Sequence, residues 1–113
     1  MKLIDVAYVP FPEAVHGKMA GVATRNEQKH RYQILIDNLN PAEDQQKCLR
    51  HEYGHIMLGH LEEPEPEYPS PEFDAREKAA DDYADSMPDS VFNALLSISN
   101  IVHHDKVPEV VTA

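Results

Sequence analysis

The feature that most constrains this chain is the segment His51-Glu52-Tyr53-Gly54-His55, which has the form H-E-x-x-H. On an α-helix, residues four apart lie on one face, so His51 and His55 can direct ring nitrogens at a single metal ion. Glu52 lies to the side of that ion, where its carboxylate can hydrogen-bond a metal-bound water. The spacing predicts two zinc ligands and one general base on a helix, with a third protein ligand elsewhere in the chain.

A simpler interpretation is that these residues form a solvated helix face. The 113-residue chain contains seven histidines and 20 Asp and Glu residues, which makes a chance H-E-x-x-H less improbable than usual. The preceding residues favour the metal site, because Asn40, Pro41 and Glu43 have the pattern of an N-cap, a first-turn proline and a capping-box acid. The helix is predicted over residues 41–60. Its sheet-facing side chains are predicted to be Leu49, Ile56 and Met57.

Length, charge and cysteine content define the class of protein. A chain of 113 residues is expected to form one domain,. The net charge of −10 argues against binding to nucleic acids or anionic membranes, since no Lys/Arg cluster is present,. Cys48 is the only cysteine, which excludes an internal disulfide and fits a reducing compartment,. Without a signal-peptide pattern or a membrane-length apolar run, we expect a cytoplasmic protein.

The first 40 residues are predicted to be rich in β-structure. Leu3 to Val9 reads as a strand closed by prolines, and Met19 to Arg25 and Arg31 to Asp37 read as a hairpin. We expect a small, mostly antiparallel sheet with one buried face, packed on the helix that carries the motif. The predicted fold class is therefore α+β.

Residues 61–70 separate the motif helix from a second predicted helix. This segment is rich in Pro and Glu, which predicts an extended acidic loop,. The loop is either a solvated connector or a rim of the cleft that repels acidic ligands. Ser70 and Pro71 then begin a helix predicted over residues 71–88. Its apolar stripe consists of Ala80, Tyr83, Ala84 and Met87.

The second helix offers the third metal ligand. Glu77 borders the apolar stripe, so its carboxylate can face the two histidines and complete a two-histidine, one-carboxylate zinc site. Asp81 follows one turn later and can accept the outer N–H of a ligating histidine, which fixes that ring's orientation. The alternative is that Asp74, Glu77, Asp81 and Asp85 form a wet acidic edge. The upstream H-E-x-x-H favours the ligand.

The end of the chain contributes less to the predicted site. Pro88 ends the second helix, and a final helix is predicted over residues 89–102, before a tail over residues 103–113. The apolar face of that helix is predicted to contain Val91, Leu95, Ile98 and Val102. His103-His104 could reach a metal, although adjacent tail histidines usually have no such role. A third histidine of the metzincin type would fall at position 61, which is Leu61, and His60 misses that spacing by one.

Residues 49–88 resemble the ImmA/IrrE family of zinc metallopeptidase domains. The run RHEYGHIMLGH from Arg50, the later EKAADDYA from Glu77, and Met87-Pro88 are similar to that family's H-E-x-G-H, E-x-x-A-N-x-F-A and closing Met-Pro or Leu-Pro. This sequence departs from the pattern in three ways. Asp81 replaces the usual Asn, Ala79 stands where many members have a second acid, and Met87-Pro88 comes about two residues early.

The resemblance implies a function as well as a fold. It implies His51, His55 and Glu77 as zinc ligands, Glu52 as the catalytic acid/base, and a cytoplasmic, gluzincin-like fold. It also implies cleavage of helix-turn-helix repressors of mobile elements or stress regulons. Such a partner is expected to be a separate chain.

These features predict a zinc endopeptidase that binds an extended peptide along an edge strand of its sheet. The second donor to the oxyanion is left open among four side chains: Tyr53, Tyr68, His16 and His30. Two other functions also stay open. One is a zinc-binding regulatory module without turnover, encoded by a phage or mobile element. The other is a metal-free interaction protein in which the histidines are incidental.

Overall fold

A computed structural model describes residues 2–28 and 30–103 of the chain. The described elements, in chain order, are β1 (Leu3–Val9), β2 (Gly21–Asn26), β3 (Arg31–Asp37), α1 (Ala42–Met57), a 3-10 turn (His60–Glu62), α2 (Pro71–Ser86), α3 (Asp89–Ile98) and β4 (Ser99–His103). They form an α+β fold in which one four-stranded sheet packs with three helices, as the predicted fold class requires. Within the described residues, no helix is both long and apolar enough to cross a membrane.

The sheet is mixed, so the prediction of a mostly antiparallel sheet was wrong. The strand order is β2-β3-β1-β4. The hairpin of β2 and β3 is antiparallel as predicted, but β1 pairs in parallel with both β3 and β4. The apolar strand β3 takes the inner place beside β1, which leaves the more polar β2 at the edge. The chain reverses direction from β1 to β2 and again from β2 to β3, so β1 and β3 run the same way.

One face of the sheet forms the core with the helices. The inward side chains of β1 and β3 are paired in register and buried, namely Ile4, Val6 and Tyr8 with Tyr32, Ile34 and Ile36. Leu49 and Ile56 of α1 are fully buried, and Met57 packs against the same cluster, which confirms the predicted inner face of this helix. The core therefore holds the helix that carries H-E-x-x-H against the sheet.

The two site-bearing helices begin in different ways. Ser70 caps α2 as predicted, because its side-chain oxygen accepts a hydrogen bond from the backbone N–H of Phe73 at 3.0 Å,. In α1 the predicted Asn40 cap is wrong, since the N-cap residue is Pro41 and no side chain caps the helix. The side-chain amide of Gln45 instead donates to the carbonyl of Asn40 at 2.7 Å.

The last predicted helix is too long. Helix α3 ends at Ile98, and the residues expected to extend it to Val102 form strand β4 beside β1. Its predicted apolar face is also wrong in part, because Phe92 and Leu95 are buried whereas Val91 and Ile98 are exposed. The β-branched residues of this segment fit a sheet better than a helix once a neighbouring strand is available.

His103 is not part of a free tail. It ends strand β4, and its ring stacks on that of Tyr8 with the centroids 4.6 Å apart. The metal-binding role considered for the His103-His104 pair receives no support at His103, which lies outside the described cluster of ligand side chains. His104 and the rest of the predicted tail lie outside the described residues.

Gly54 permits the close approach of α1 and α2. A β-carbon at this position would lie 2.9 Å from the carbonyl oxygen of the fully buried Ala80. We expect Gly54→Val to destabilise the protein by about 2–3 kcal/mol, because the two helices must separate to admit the side chain. Chemical denaturation measures this loss, with Gln46→Val on the exposed face of α1 as the control. Equal stability of both variants would contradict a tight helix contact at Gly54.

Candidate metal centre

The predicted metal ligands come together at the contact between α1 and α2. Glu77 Oε2 lies 2.7 Å from His51 Nε2 and 3.0 Å from His55 Nε2. The two imidazole Nε2 atoms are 3.0 Å apart. In the part of the chain that the structure describes, these side chains form the one group of three whose ligand atoms lie within 4.8 Å of one another. The fold therefore brings Glu77 beside both histidines of the motif, as the residue pattern predicts.

The donor set and its dimensions fit a zinc ion. Two imidazole nitrogens and one carboxylate oxygen are a three-ligand set that leaves a fourth tetrahedral position for water or substrate. With bonds near 2.0–2.1 Å, tetrahedral ligand atoms lie roughly 3.4 Å apart. The observed separations of 2.7 to 3.0 Å therefore need to widen only by roughly half an ångström to admit the ion. Small side-chain rotations supply such a change.

Asp81 lies behind His51, where it was predicted. Its Oδ1 atom is 2.7 Å from His51 Nδ1, the ring nitrogen that faces away from Glu77. A carboxylate in this position accepts the Nδ1 proton, which leaves Nε2 free as a metal ligand. Asp81 is therefore within hydrogen-bonding distance of the ring nitrogen of His51 that it was predicted to contact.

His55 has a different outer partner, which was not predicted from the sequence. Its Nδ1 atom lies 2.8 Å from Nδ1 of His60, in the 3-10 turn after α1. Gly59 takes a left-handed conformation with φ of 76° and turns the chain back toward the helix,. A glycine followed by a histidine directly after the helix end was the available signal. The residue pattern predicts no role for His60, which misses the metzincin spacing by one residue.

Glu52 occupies a buried position beside the ligands. Only 7% of the residue is exposed. Burial raises the pKa of its carboxyl to about 7, and the charge of Glu77 adds to this effect while His51 opposes it,. A carboxyl with a pKa near neutrality can both accept and release a proton at physiological pH.

The raised pKa of Glu52 predicts how the metal-free protein responds to pH. The folded state holds this proton more tightly than the unfolded state, where the pKa has its ordinary value of 4.5. The resulting stabilisation is complete below pH 4.5 and is lost as the pH rises through about 7,. Glu52→Gln cannot ionise, so at pH 8 we expect it to be more stable than the native chain by about 1–3 kcal/mol. Denaturation of both metal-free proteins at several pH values measures this difference, which should disappear near pH 4; a constant difference would contradict it.

Two cavities flank the candidate ligands, and together they form a groove. The cavity on the His55 side has a volume of about 510 Å³ and the one on the His51 side about 710 Å³. Gly21, at the start of edge strand β2, lines both cavities, as do Glu52 and Glu77. The groove therefore runs along the exposed edge of the sheet, past the place where the ligand atoms meet.

The acidic loop forms part of the groove wall. Glu63 and Pro66 line the cavity on the His55 side, and Tyr68 lines the other. Arg76 of α2 holds the loop, since its guanidinium donates to Glu63 Oε2 at 3.0 Å and to the carbonyl of His60 at 3.2 Å. Of the two interpretations of this segment, the structure agrees with a rim of the cleft.

Tyr68 is the one groove-lining residue among the four side chains considered as a second oxyanion donor. Tyr53 is fully buried, and its hydroxyl shares a 2.7 Å hydrogen bond with that of Ser99. His16 is bonded to a buried aspartate, and His30 lies in the turn between β2 and β3. Tyr68 packs against Phe73 and is largely exposed, so its hydroxyl is accessible from the groove.

Comparison with known proteins identifies no relative: no protein-family model matches the chain, and no curated protein or solved structure is significantly similar to it. The metal centre is therefore inferred from the residue pattern and from the geometry of the site.

Proposed function

We propose that this protein is a zinc-dependent endopeptidase with a minimal zincin-like fold, of the type found in the ImmA/IrrE family. The observation that carries the proposal is the convergence of His51, His55 and Glu77 beside the buried carboxyl of Glu52. Asp81 on the outer nitrogen of His51 adds a partner that zinc-bound histidines usually have,. A solvated helix face needs none of these contacts.

The chain's own residues account for the proton transfers of the reaction. When bound, zinc supplies a Lewis acid and lowers the pKa of coordinated water toward neutrality. Glu52 accepts the proton of the attacking water and then delivers it to the amine leaving group. Tyr68, which lines the cavity on the His51 side, is the proposed donor of a hydrogen bond to the negative charge that develops on the substrate carbonyl,.

The proposed substrate is an extended peptide bound along β2. This strand is at the edge of the sheet and lines the groove on both sides of the ligands. Main-chain hydrogen bonds to such an edge fix the register of a peptide, and the groove walls select its side chains. Glu63 and Glu65 on the rim disfavour acidic side chains nearby,.

We propose a regulatory protein as the source of this peptide, such as a helix-turn-helix repressor of a mobile element acting as a separate chain. The chain's net charge of −10 disfavours direct contact with the nucleic acid that such a repressor binds,. A cytoplasmic site of action is proposed because Cys48 is the only cysteine,.

Elemental analysis followed by a cleavage assay tests the proposal. We expect near-stoichiometric zinc in the purified protein, and discrete fragments when the loaded protein is incubated with a peptide library and with repressors from its native host. Chelation should stop cleavage, and added zinc should restore it. Absence of zinc would favour the metal-free interaction protein, whereas bound zinc without fragments would favour the regulatory module.

A further inference from the structure

We infer that His60 is a positioning residue for the metal ligand His55. In this arrangement His60 accepts a hydrogen bond from His55 Nδ1–H and so directs His55 Nε2 at the ion. The inference rests on the metal centre of the proposed function but does not require that the protein cleave peptides.

The direction of the hydrogen bond follows from the surroundings of His55. Its Nε2 atom lies 3.0 Å from both His51 Nε2 and Glu77 Oε2, so Nε2 is the nitrogen that can bind a metal. A neutral imidazole carries its proton on one nitrogen, and a ligating Nε2 leaves that proton on Nδ1. The 2.8 Å contact between His55 Nδ1 and His60 Nδ1 then makes His60 the acceptor, with its own proton on Nε2.

The fold holds His60 in place from two directions. Gly59 turns the chain through a left-handed conformation immediately before it. Arg76 of α2 donates to the carbonyl oxygen of His60 at 3.2 Å, and the next residue of that helix is Glu77. The helix that presents the carboxylate ligand therefore also fixes the segment that orients His55. A mobile surface histidine would have neither restraint.

The two histidine ligands are consequently supported in different ways. His51 donates to the carboxylate of Asp81, whereas His55 donates to an imidazole. Both partners select the tautomer with Nε2 free, but a carboxylate also makes its histidine more basic. His60 acts mainly by orienting the ring.

Zinc affinity in matched variants tests the inference. Removing the outer partner of a ligating histidine typically costs about 10–100-fold in metal affinity. We expect a loss of this size in His60→Leu, measured by competition with a chromophoric chelator. His60→Asn should keep most of the affinity, because its side-chain oxygen can replace Nδ1 as acceptor. His30→Asn removes a histidine remote from the groove and should leave the affinity unchanged.

A second measurement reads the tautomers directly. Long-range ¹H–¹⁵N spectra of the zinc-loaded native chain should show His55 protonated on Nδ1 and His60 on Nε2. The opposite tautomer at His60, or native affinity in a folded His60→Leu variant, would overturn the inference alone. If His60→Leu does not fold, His60→Asn and these spectra decide the matter. Failure of the native chain to bind zinc would overturn the inference together with the proposed function.

Discussion

Replacing Glu52 with Gln is expected to abolish peptide hydrolysis while zinc stays bound. Glutamine has nearly the same shape as glutamate but cannot accept the proton of the attacking water. General acid–base catalysis contributes about 10²–10⁴-fold to such reactions, so we expect a rate loss of that order. Glu52 is not one of the three converging ligands, and zinc content should therefore be unchanged. Cleavage rates and metal content of the two proteins measure both effects.

The control for this experiment is Glu43→Gln, which makes the same chemical change in the exposed first turn of the same helix. It should retain both zinc and activity. Activity that survives in Glu52→Gln would show that another group is the base. Loss of zinc from that variant would instead indicate that Glu52 contributes to holding the metal.

Replacing Glu77 with Gln is expected to lower zinc affinity by more than about 100-fold, because loss of even an outer partner of a ligand costs about 10–100-fold. The carboxylate is the one negatively charged member of the three-residue group, and its Oε2 atom contacts both histidines. The amide oxygen of Gln is neutral and binds a divalent cation more weakly. Competition with chelators of graded strength measures the change.

Two variants of α2 separate this effect from general damage to the helix. Glu72→Gln changes an exposed acid in the first turn and should leave zinc affinity intact. Asp81→Ala removes the hydrogen-bond acceptor of His51 Nδ1–H and should cause the smaller loss of about 10–100-fold,. Equal affinities in Glu77→Gln and Glu72→Gln would exclude Glu77 as a ligand, and the proposed peptidase mechanism with it.

Local sequence patterns predicted the helices that carry the site more accurately than the sheet. Ser70 caps α2 as expected because an N-cap depends on atoms only three residues apart,. The spacing of His51 and His55 follows from the geometry of one helix turn in the same way. The order and direction of strands depend on which distant segments pair, and the alternation of apolar residues in β3 does not identify its neighbours.

Two side chains near the site were not predicted correctly, and the reason is the same for both. His60 lies only five residues beyond His55, but its contact depends on the turn at Gly59 and on Arg76 reaching across from α2. Tyr53, which was considered a donor to the oxyanion, points into the core because α1 packs on the sheet through that side. Both results follow from packing between elements, which spacing along one element does not encode.

By itself the sequence determined the chemistry available to this protein, namely two imidazoles and a carboxyl at helical spacing and an acidic helix to face them. Only the tertiary structure decided that Glu77 meets both rings, that Asp81 and His60 contact their outer nitrogens, and that an edge strand borders the groove. The physical reason is distance along the chain. Helix periodicity and capping arise from neighbours within one or two turns, whereas the meeting of α1 and α2 requires a buried core and the close contact at Gly54,.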